Sequence, residues 1–252
     1  MTNLYGLPIE RVSILFCILF ALSTALTLPL FRFDLRAFIS SRLFIKILLW
    51  LPIFLIFVTF LYLPGLGRLI VICTLLLLVL REVVVAVKTK GHLYLVSLYY
   101  LIFSFALLHF YFLGLAHPKS SATLLIAIAF ASVLSDVVAF FLGNYLGKHK
   151  LPSILNSNKS WEGVFGQFLG AFIGTLLVWI FITQSFSRLI FLPIGIGSAA
   201  GDLLNSFVKR KLDIKEWSNG IPGHGGYLDR LSSLACAVIF TFYYLYLIYP
   251  RL

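Results

Sequence analysis

Charge is scarce in this chain. Of its 252 residues only 9 are acidic and 20 are Lys or Arg, and charged side chains make up 12% of the whole. Soluble domains carry about 25%, so a separate water-soluble domain is excluded. Cysteine is scarce as well: Cys17, Cys73 and Cys236 lie far apart, without a C-x-x-C spacing. That excludes a disulfide framework and a thiolate-bound metal. All three fall inside apolar runs and read as small packing residues. Internal repeats and low-complexity linkers are missing, which leaves one bundle. Alternating polarity is missing too, for Leu69–Leu80 shows no alternation. A closed membrane barrel needs such alternation, so it is rejected.

What the chain has in abundance is hydrophobic sequence, 61% of it. Runs of about 20 apolar residues recur, each able to cross a hydrocarbon layer about 30 Å thick. The expected fold is an all-α polytopic membrane protein of about eight helices, near 12–31, 43–63, 69–87, 93–115, 121–142, 163–183, 188–205 and 232–249. The first run is too long for a signal-peptide core and has no small-residue cleavage site after it, so it counts as a span. Pro52 is expected to kink the second span, and Pro64, Gly65 and Gly67 to form a tight turn after it. Basic residues gather in alternate connections. Arg32, Arg36, Arg42 and Lys46 lie in the first, Lys88 and Lys90 in the third, Lys148, Lys150 and Lys159 in the fifth. The seventh holds Lys209, Arg210, Lys211, Lys215 and Arg230, whereas Arg68, Lys119 and Arg188 stand one to each even-numbered connection. Positive-inside bias puts the odd connections in the cytoplasm and both termini outside. The net charge of +11 then anchors loops to anionic lipid. No basic, aromatic-rich patch or nucleic-acid-binding module accompanies it, so nucleic acid is not an expected partner. Trp161 and Trp217 read as interface aromatics.

The few acids are informative by position. Glu10, Asp34 and Glu82 are scattered, but Asp136, Glu162, Asp202, Asp213, Glu216 and Asp229 lie in or beside the two longest odd-numbered connections. Asp136 falls about two turns, and Asp202 about one turn, before the cytoplasmic end of its span. A carboxylate inside a span costs a few kcal/mol and normally faces a polar cavity or a partner. Each Asp can pair privately with a neighbouring Lys or Arg. Taken with Asp229, the two favour a shared cation. Carboxylates without His or Cys neighbours suit Mg²⁺, Mn²⁺ or Ca²⁺, and Mg²⁺ usually completes its shell with substrate phosphates. Lys209, Arg210, Lys211 and Arg230 supply positive charge beside them. The stretch "GIPGHGGYLDR", residues 220–230, adds glycines that allow backbone amides to approach a polyanion. The chemistry expected is phosphoryl or nucleotidyl transfer at one membrane face.

"SFVKRKLDIKEWSNGIPGHGGYLDRLSS" resembles the signature of the phosphatidate cytidylyltransferases, also called CDP-diacylglycerol synthases. Ser206, Lys209, Arg210, Lys215, Pro222, Gly223, His224, Gly225, Gly226, Asp229 and Arg230 fall on it with its spacing. Upstream, "GDLLNSFVKR", "DVVAFFLGNYLGKHKL" and "NSNKSWEG" are similar to further family motifs, so the likeness covers roughly 132–235. There are departures. Glu216 replaces an Asp, Ser232 stands where a final Asp is usual, and Asn156–Ser160 lacks a proline and a lysine of the pattern.

The resemblance implies an enzyme that makes CDP-diacylglycerol and pyrophosphate from CTP and phosphatidic acid. It implies Mg²⁺ at Asp202 and Asp229, with Asp136 a third carboxylate of the centre and a second cation admissible. It implies phosphate binding by Lys209, Arg210 and Arg230. His224 with Gly223, Gly225 and Gly226 would cradle the leaving pyrophosphate. Lys159, Ser160 and Glu162 would close the nucleotide pocket, and Ser206 and Lys215 belong to the same signature. Residues 1–115 form an N-terminal helical region without a motif, and 116–252 the catalytic region. The expected partners are CTP, phosphatidic acid or a related lipid phosphate, and the bilayer, with a homodimer admissible. The expected location is a bacterial inner (plasma) membrane, with the site on the cytoplasmic side. The altered Asn156–Ser160 stretch keeps another lipid-phosphate acceptor open. Ser232 keeps open a diverged non-catalytic relative or a transporter. A transporter would place broken helices near the midplane, whereas here the charges cluster at one face.

Overall fold

The computed structural model describes residues 9–63, 65–116, 120–152, 159–183, 186–221 and 225–248. In chain order the helices are α1 Ile9–Thr27, α2 Leu35–Ile39, α3 Arg42–Leu48, α4 Trp50–Tyr62, α5 Gly65–Lys90 and α6 Leu93–Ala116. There follow α7 Ser121–Tyr145, α8 Trp161–Phe181, α9 Phe191–Lys211 and α10 Tyr227–Ile248. Short 3-10 turns at Leu28–Phe31 and Arg188–Ile190 extend α1 and lead into α9. Among the described residues no strand forms, and 8 helical segments are long and apolar enough to cross a membrane. The chain is an all-α polytopic membrane protein, as expected.

Three boundaries differ from the sequence reading, each for a local reason. The second span is broken at Leu49 between α3 and α4, so Pro52 sits in the first turn of α4. Proline has no N–H to give to the carbonyl four residues back, and a first turn is where that loss costs nothing. Gly65 and Gly67 lie inside the first turn of α5 rather than in a turn ahead of it; Pro64 lies outside the described residues. The third difference affects the site most. α9 continues through the basic run to Lys211, and α10 begins at Tyr227. Asp202 is therefore nine residues before its helix end, the same number as Asp136 before Tyr145. Asp229 and Arg230 belong to a helix, not to a loop.

Small residues set the inner packing. α7 is the central helix; α8 runs along it, α9 packs on α8 and on α10, and α6 joins through α10. Gly166, Gly170 and Gly174 form a stripe on α8 at four-residue spacing. A Cβ at Gly170 would lie 2.5 Å from the Leu134 carbonyl oxygen and 2.6 Å from Ser135 Cα, and one at Gly174 2.6 Å from Ala131 Cα. Gly197 and Gly201 do the same for α9 against Ala237 and Ser232 of α10. In lipid, where apolar burial gives helices no drive to associate, such close backbone approach supplies the packing. A hydrogen bond of 2.9 Å from Ser198 to Ser132 ties α9 to α7. Cys17 and Cys73 face outward, so they are not packing residues as expected; Cys236 is half-buried.

Candidate active site

α5, α7 and α9 end, and α8 and α10 begin, at the same end of the bundle, and there a cavity of about 1110 Å³ opens. Its charged part takes Asp136 from α7, Lys159 ahead of α8, Asp202 and Lys209 from α9, and Asp229 and Arg230 from α10. Its apolar wall comes from α1, α4 and α7, with Leu15, Phe16, Phe54, Phe57 and Phe130 among the lining. The close helix crossings bring the charged group together. Gly166 and Gly170 seat α8 on α7, and Gly197 and Gly201 seat α9 on α10.

Asp202 is held from two sides. Lys159 forms an ion pair with its carboxylate and donates to its backbone carbonyl at 3.2 Å. Gln167 Nε2 donates to Asp202 Oδ2 at 3.2 Å from a buried position on α8. Asp136 opens into the cavity within electrostatic reach of Asp202, Lys159 and Arg230, beside Ser233. Asp229 is different, for its side chain is only 2% exposed. Oδ1 takes Lys209 Nζ at 2.5 Å, and Oδ2 takes the backbone amides of Trp217 at 2.9 Å and Gly226 at 3.0 Å. Both of its oxygens are engaged by the protein.

A donor set for a metal can be judged from this geometry. No group of three or more His, Cys, Asp or Glu side chains gathers with ligating spacing among the described residues. Asp136 and Asp202, on facing helices and open to the cavity, fit a hard cation that takes its other ligands from water and substrate phosphates. Asp229 fits less well as a ligand.

The remaining expected residues spread out. Ser160 lines the cavity and caps α8, accepting from the Gly163 amide at 3.2 Å. Glu162 turns away onto His149, whose Nδ1 is 2.6 Å from Oε1 and whose amide is 3.1 Å away. With Leu151 N to Lys159 O at 2.9 Å and Trp161 N to His149 O at 2.9 Å, this pair folds the fifth connection back and aims Lys159 inward. Arg210 and Lys215 are exposed and off the cavity wall, and Ser206 is buried within α9. Gly225 adopts a left-handed φ of +81°, a region that suits glycine. The Gly226 amide, expected at a phosphate, donates to Asp229 instead. Pro222, Gly223 and His224 lie outside the described residues.

Ser232 is buried and is not among the residues that line the cavity. Its backbone carbonyl packs on Gly201, and its side chain neighbours the Tyr99 phenol. An acid at 232 would point toward that buried cluster. Trp217 is not an interface aromatic. It is buried, stacks on Tyr99 with ring centroids 5.7 Å apart, and its Nε1 donates to Asn205 Oδ1 at 2.7 Å. Tyr99 donates to the same oxygen at 3.1 Å. Gln167, Asn205, Tyr99 and Glu82 were missed by sequence reasoning. A buried Gln and Asn in apolar helices were the signal for two of them. Nothing local marks Glu82, whose partners stand more than 130 residues away.

Comparison with known proteins adds the following. A family model described as the cytidylyltransferase family matches residues 6–248, taking in both halves of the chain. Among curated proteins, the chain is similar to the phosphatidate cytidylyltransferase of Haemophilus influenzae, at 35% identity over 142 residues. It is similar to that of Mycobacterium leprae at 36% over 123 residues and to that of Brucella abortus at 37% over 123 residues. These matches cover 52%, 48% and 46% of this chain and 48%, 39% and 46% of the relatives. The chain thus spans about half the length, or less, of the curated relatives it matches.

Proposed function

Because the chain belongs to the cytidylyltransferase family by its match over residues 6–248, we propose that it transfers the cytidylyl group of CTP to phosphatidic acid. The products are CDP-diacylglycerol and pyrophosphate. The observation that carries this reading is the cavity itself. One chamber joins three carboxylates and four cations, Lys150 among them, to a wall of aliphatic and aromatic side chains. A nucleotide triphosphate needs the first and a diacyl lipid needs the second.

In the reaction a phosphate oxygen of the lipid attacks the α-phosphorus of CTP. The bond from that phosphorus to the bridging oxygen breaks, and the electron pair leaves with pyrophosphate. The nucleophile is already anionic, so proton transfer is a small part of the problem. The larger part is bringing two polyanions together, which positioned positive charge solves. Lys159, Lys209 and Arg230 face the cavity and are assigned to the phosphates. Asp229, engaged by two amides, holds Lys209 in place rather than binding metal itself. Asp136 and Asp202 would hold Mg²⁺, with Gln167 fixing the orientation of Asp202. Mg²⁺ there would neutralise charge between the attacking and leaving oxygens. Lys159, paired with Asp202, lies at the cavity wall within reach of a phosphate bound there. In this reading that end of the bundle faces the cytoplasm at a bacterial inner membrane, the side from which CTP arrives, and the positive charge of the odd-numbered connections supports it.

The test is purified protein with labelled CTP, phosphatidic acid and Mg²⁺, run beside an isoprenyl phosphate as acceptor. CDP-diacylglycerol is expected to form with phosphatidic acid and to vanish in EDTA. Turnover undiminished by EDTA, or confined to the isoprenyl phosphate, would overturn the reading.

A further inference from the structure

Glu82 lies on α5, in the half of the chain without a family-like motif, eight residues before the helix ends at Lys90. It is buried, at 6% exposure. A carboxylate at such a place in a span is costly unless strong donors meet it. Three do, and all come from the far end of the sequence. Ser218 Oγ donates to Oε1 at 2.5 Å, the Tyr227 amide to Oε1 at 2.9 Å and the Leu228 amide to Oε2 at 3.1 Å. The last two are free amides of the first turn of α10, where a negative charge is stabilised by the helix dipole. Asp229 takes the Gly226 amide of the same turn. Two carboxylates therefore divide one helix start between them, one from α10 itself at the cavity and one reaching over from α5. The sequence makes room for this. A Cβ at Gly226 would lie 2.6 Å from Oε1 and 2.8 Å from Oε2 of Glu82.

We propose that Glu82 is a positioning residue of the transfer site: it anchors Ser218 and the first turn of α10 so that Asp229 holds Lys209 toward the cavity. This rests on the reaction proposed above. Without the anchor the first turn of α10 frays, Asp229 loses its register with Lys209, and Lys209 no longer meets the transferring phosphates. The cavity wall on the Lys159 side stays in place, so nucleotide binding is retained while the chemical step slows.

The experiment uses the full chain in detergent with Glu82→Gln, Glu82→Ala and Ser218→Ala. Hydrogen exchange is followed in peptides covering 212–230 and in peptides from α7 and α8, with kcat and KM for CTP measured on the folded fraction. Both Glu82 variants are expected to raise exchange in 212–230 at least tenfold while α7 and α8 keep the wild-type rate. They should lower kcat at least tenfold with KM for CTP within threefold. Ser218→Ala removes one donor and keeps the charge. It is expected to give the same pattern at about threefold, and it decides the matter if the Glu82 variants do not fold. Unchanged local exchange, or a kcat per folded molecule equal to wild type, overturns the proposal. A wild-type protein without cytidylyl transfer overturns the reaction instead, and the exchange data still decide whether Glu82 anchors the turn.

Discussion

At the scale of the residue, two carboxylates that look alike in sequence differ in their surroundings. Asp202 is 35% exposed at its side chain and meets Lys159 and Gln167; Asp229 is 2% exposed and bonded by Lys209 and two backbone amides. The same substitution should therefore act differently. Asp202→Asn is expected to stay folded, with its thermal midpoint near wild type, and to lose about three orders of magnitude in turnover, the scale of a lost transition-state contact. Asp229→Asn is expected to lose activity and stability together. Breaking a buried pair from one side leaves a charge uncompensated, at a cost of about 3 kcal/mol or more. Thermal midpoints in detergent beside turnover of labelled CTP check both. An Asp229→Asn protein that melts like wild type would show that the Lys209 pair contributes nothing to the fold.

The helices reach their geometry through what their glycines lack. Alanine is the better helix former by about 1 kcal/mol, so Gly→Ala within a helix should stabilise wherever space allows. At Gly65 nothing lies within 4 Å of an added Cβ, while at Gly170 the Leu134 carbonyl and the Ser135 backbone lie within 2.6 Å. Gly170→Ala is therefore expected to lower the thermal midpoint by several degrees and to reduce turnover. It would push α8, with Gln167 one turn away, off α7, with Asp136 next to Ser135. Gly65→Ala is expected to leave the midpoint unchanged or slightly raised. Equal midpoints for the two variants would show that the α7–α8 crossing does not depend on backbone contact. The stripe Gly166, Gly170, Gly174 and the pair Gly197, Gly201 are spaced by four in the sequence. That spacing is present in the sequence, but which helix each glycine meets is seen only in the fold.

For the whole molecule, eight alternating spans bring the odd-numbered connections to the end that carries the cavity. The proposed orientation can be read by cysteine labelling in a background without Cys17, Cys73 and Cys236. Lys215→Cys, in the connection before α10, is expected to react only from the cytoplasm. Ser187→Cys, before α9, is expected to react only from outside. The reverse pattern would place the site away from CTP and end the orientation. The two halves of the chain also meet at this end. α5 sends Glu82 to the start of α10, and α6 sends Tyr99 against Trp217 and Asn205. Helices without a motif of their own thus take part in shaping the site.

The sequence alone determined the membrane class, the number of spans, the clustering of charge at one end and the acidic residues of the cavity, Asp136, Asp202 and Asp229, with Lys159, Lys209 and Arg230 beside them. Long apolar runs have one solution in a bilayer, and a charge placed there must face something polar, so both facts are local and survive any packing. What only the tertiary structure decided is who meets whom. Asp136, Asp202 and Asp229 carry equal charge in the sequence, yet α9 and α10 leave the first two open to the cavity and enclose the third between Lys209 and two amides. Gly226 reads as a phosphate glycine and proves to be the space for the Glu82 carboxylate. Ser232 reads as a lost acid of the centre and proves to be buried behind it, near Tyr99. Hydrogen bonds such as those of Glu82 join residues some 145 positions apart. Their energy depends on distances set by helix crossings, which no local pattern of residues contains.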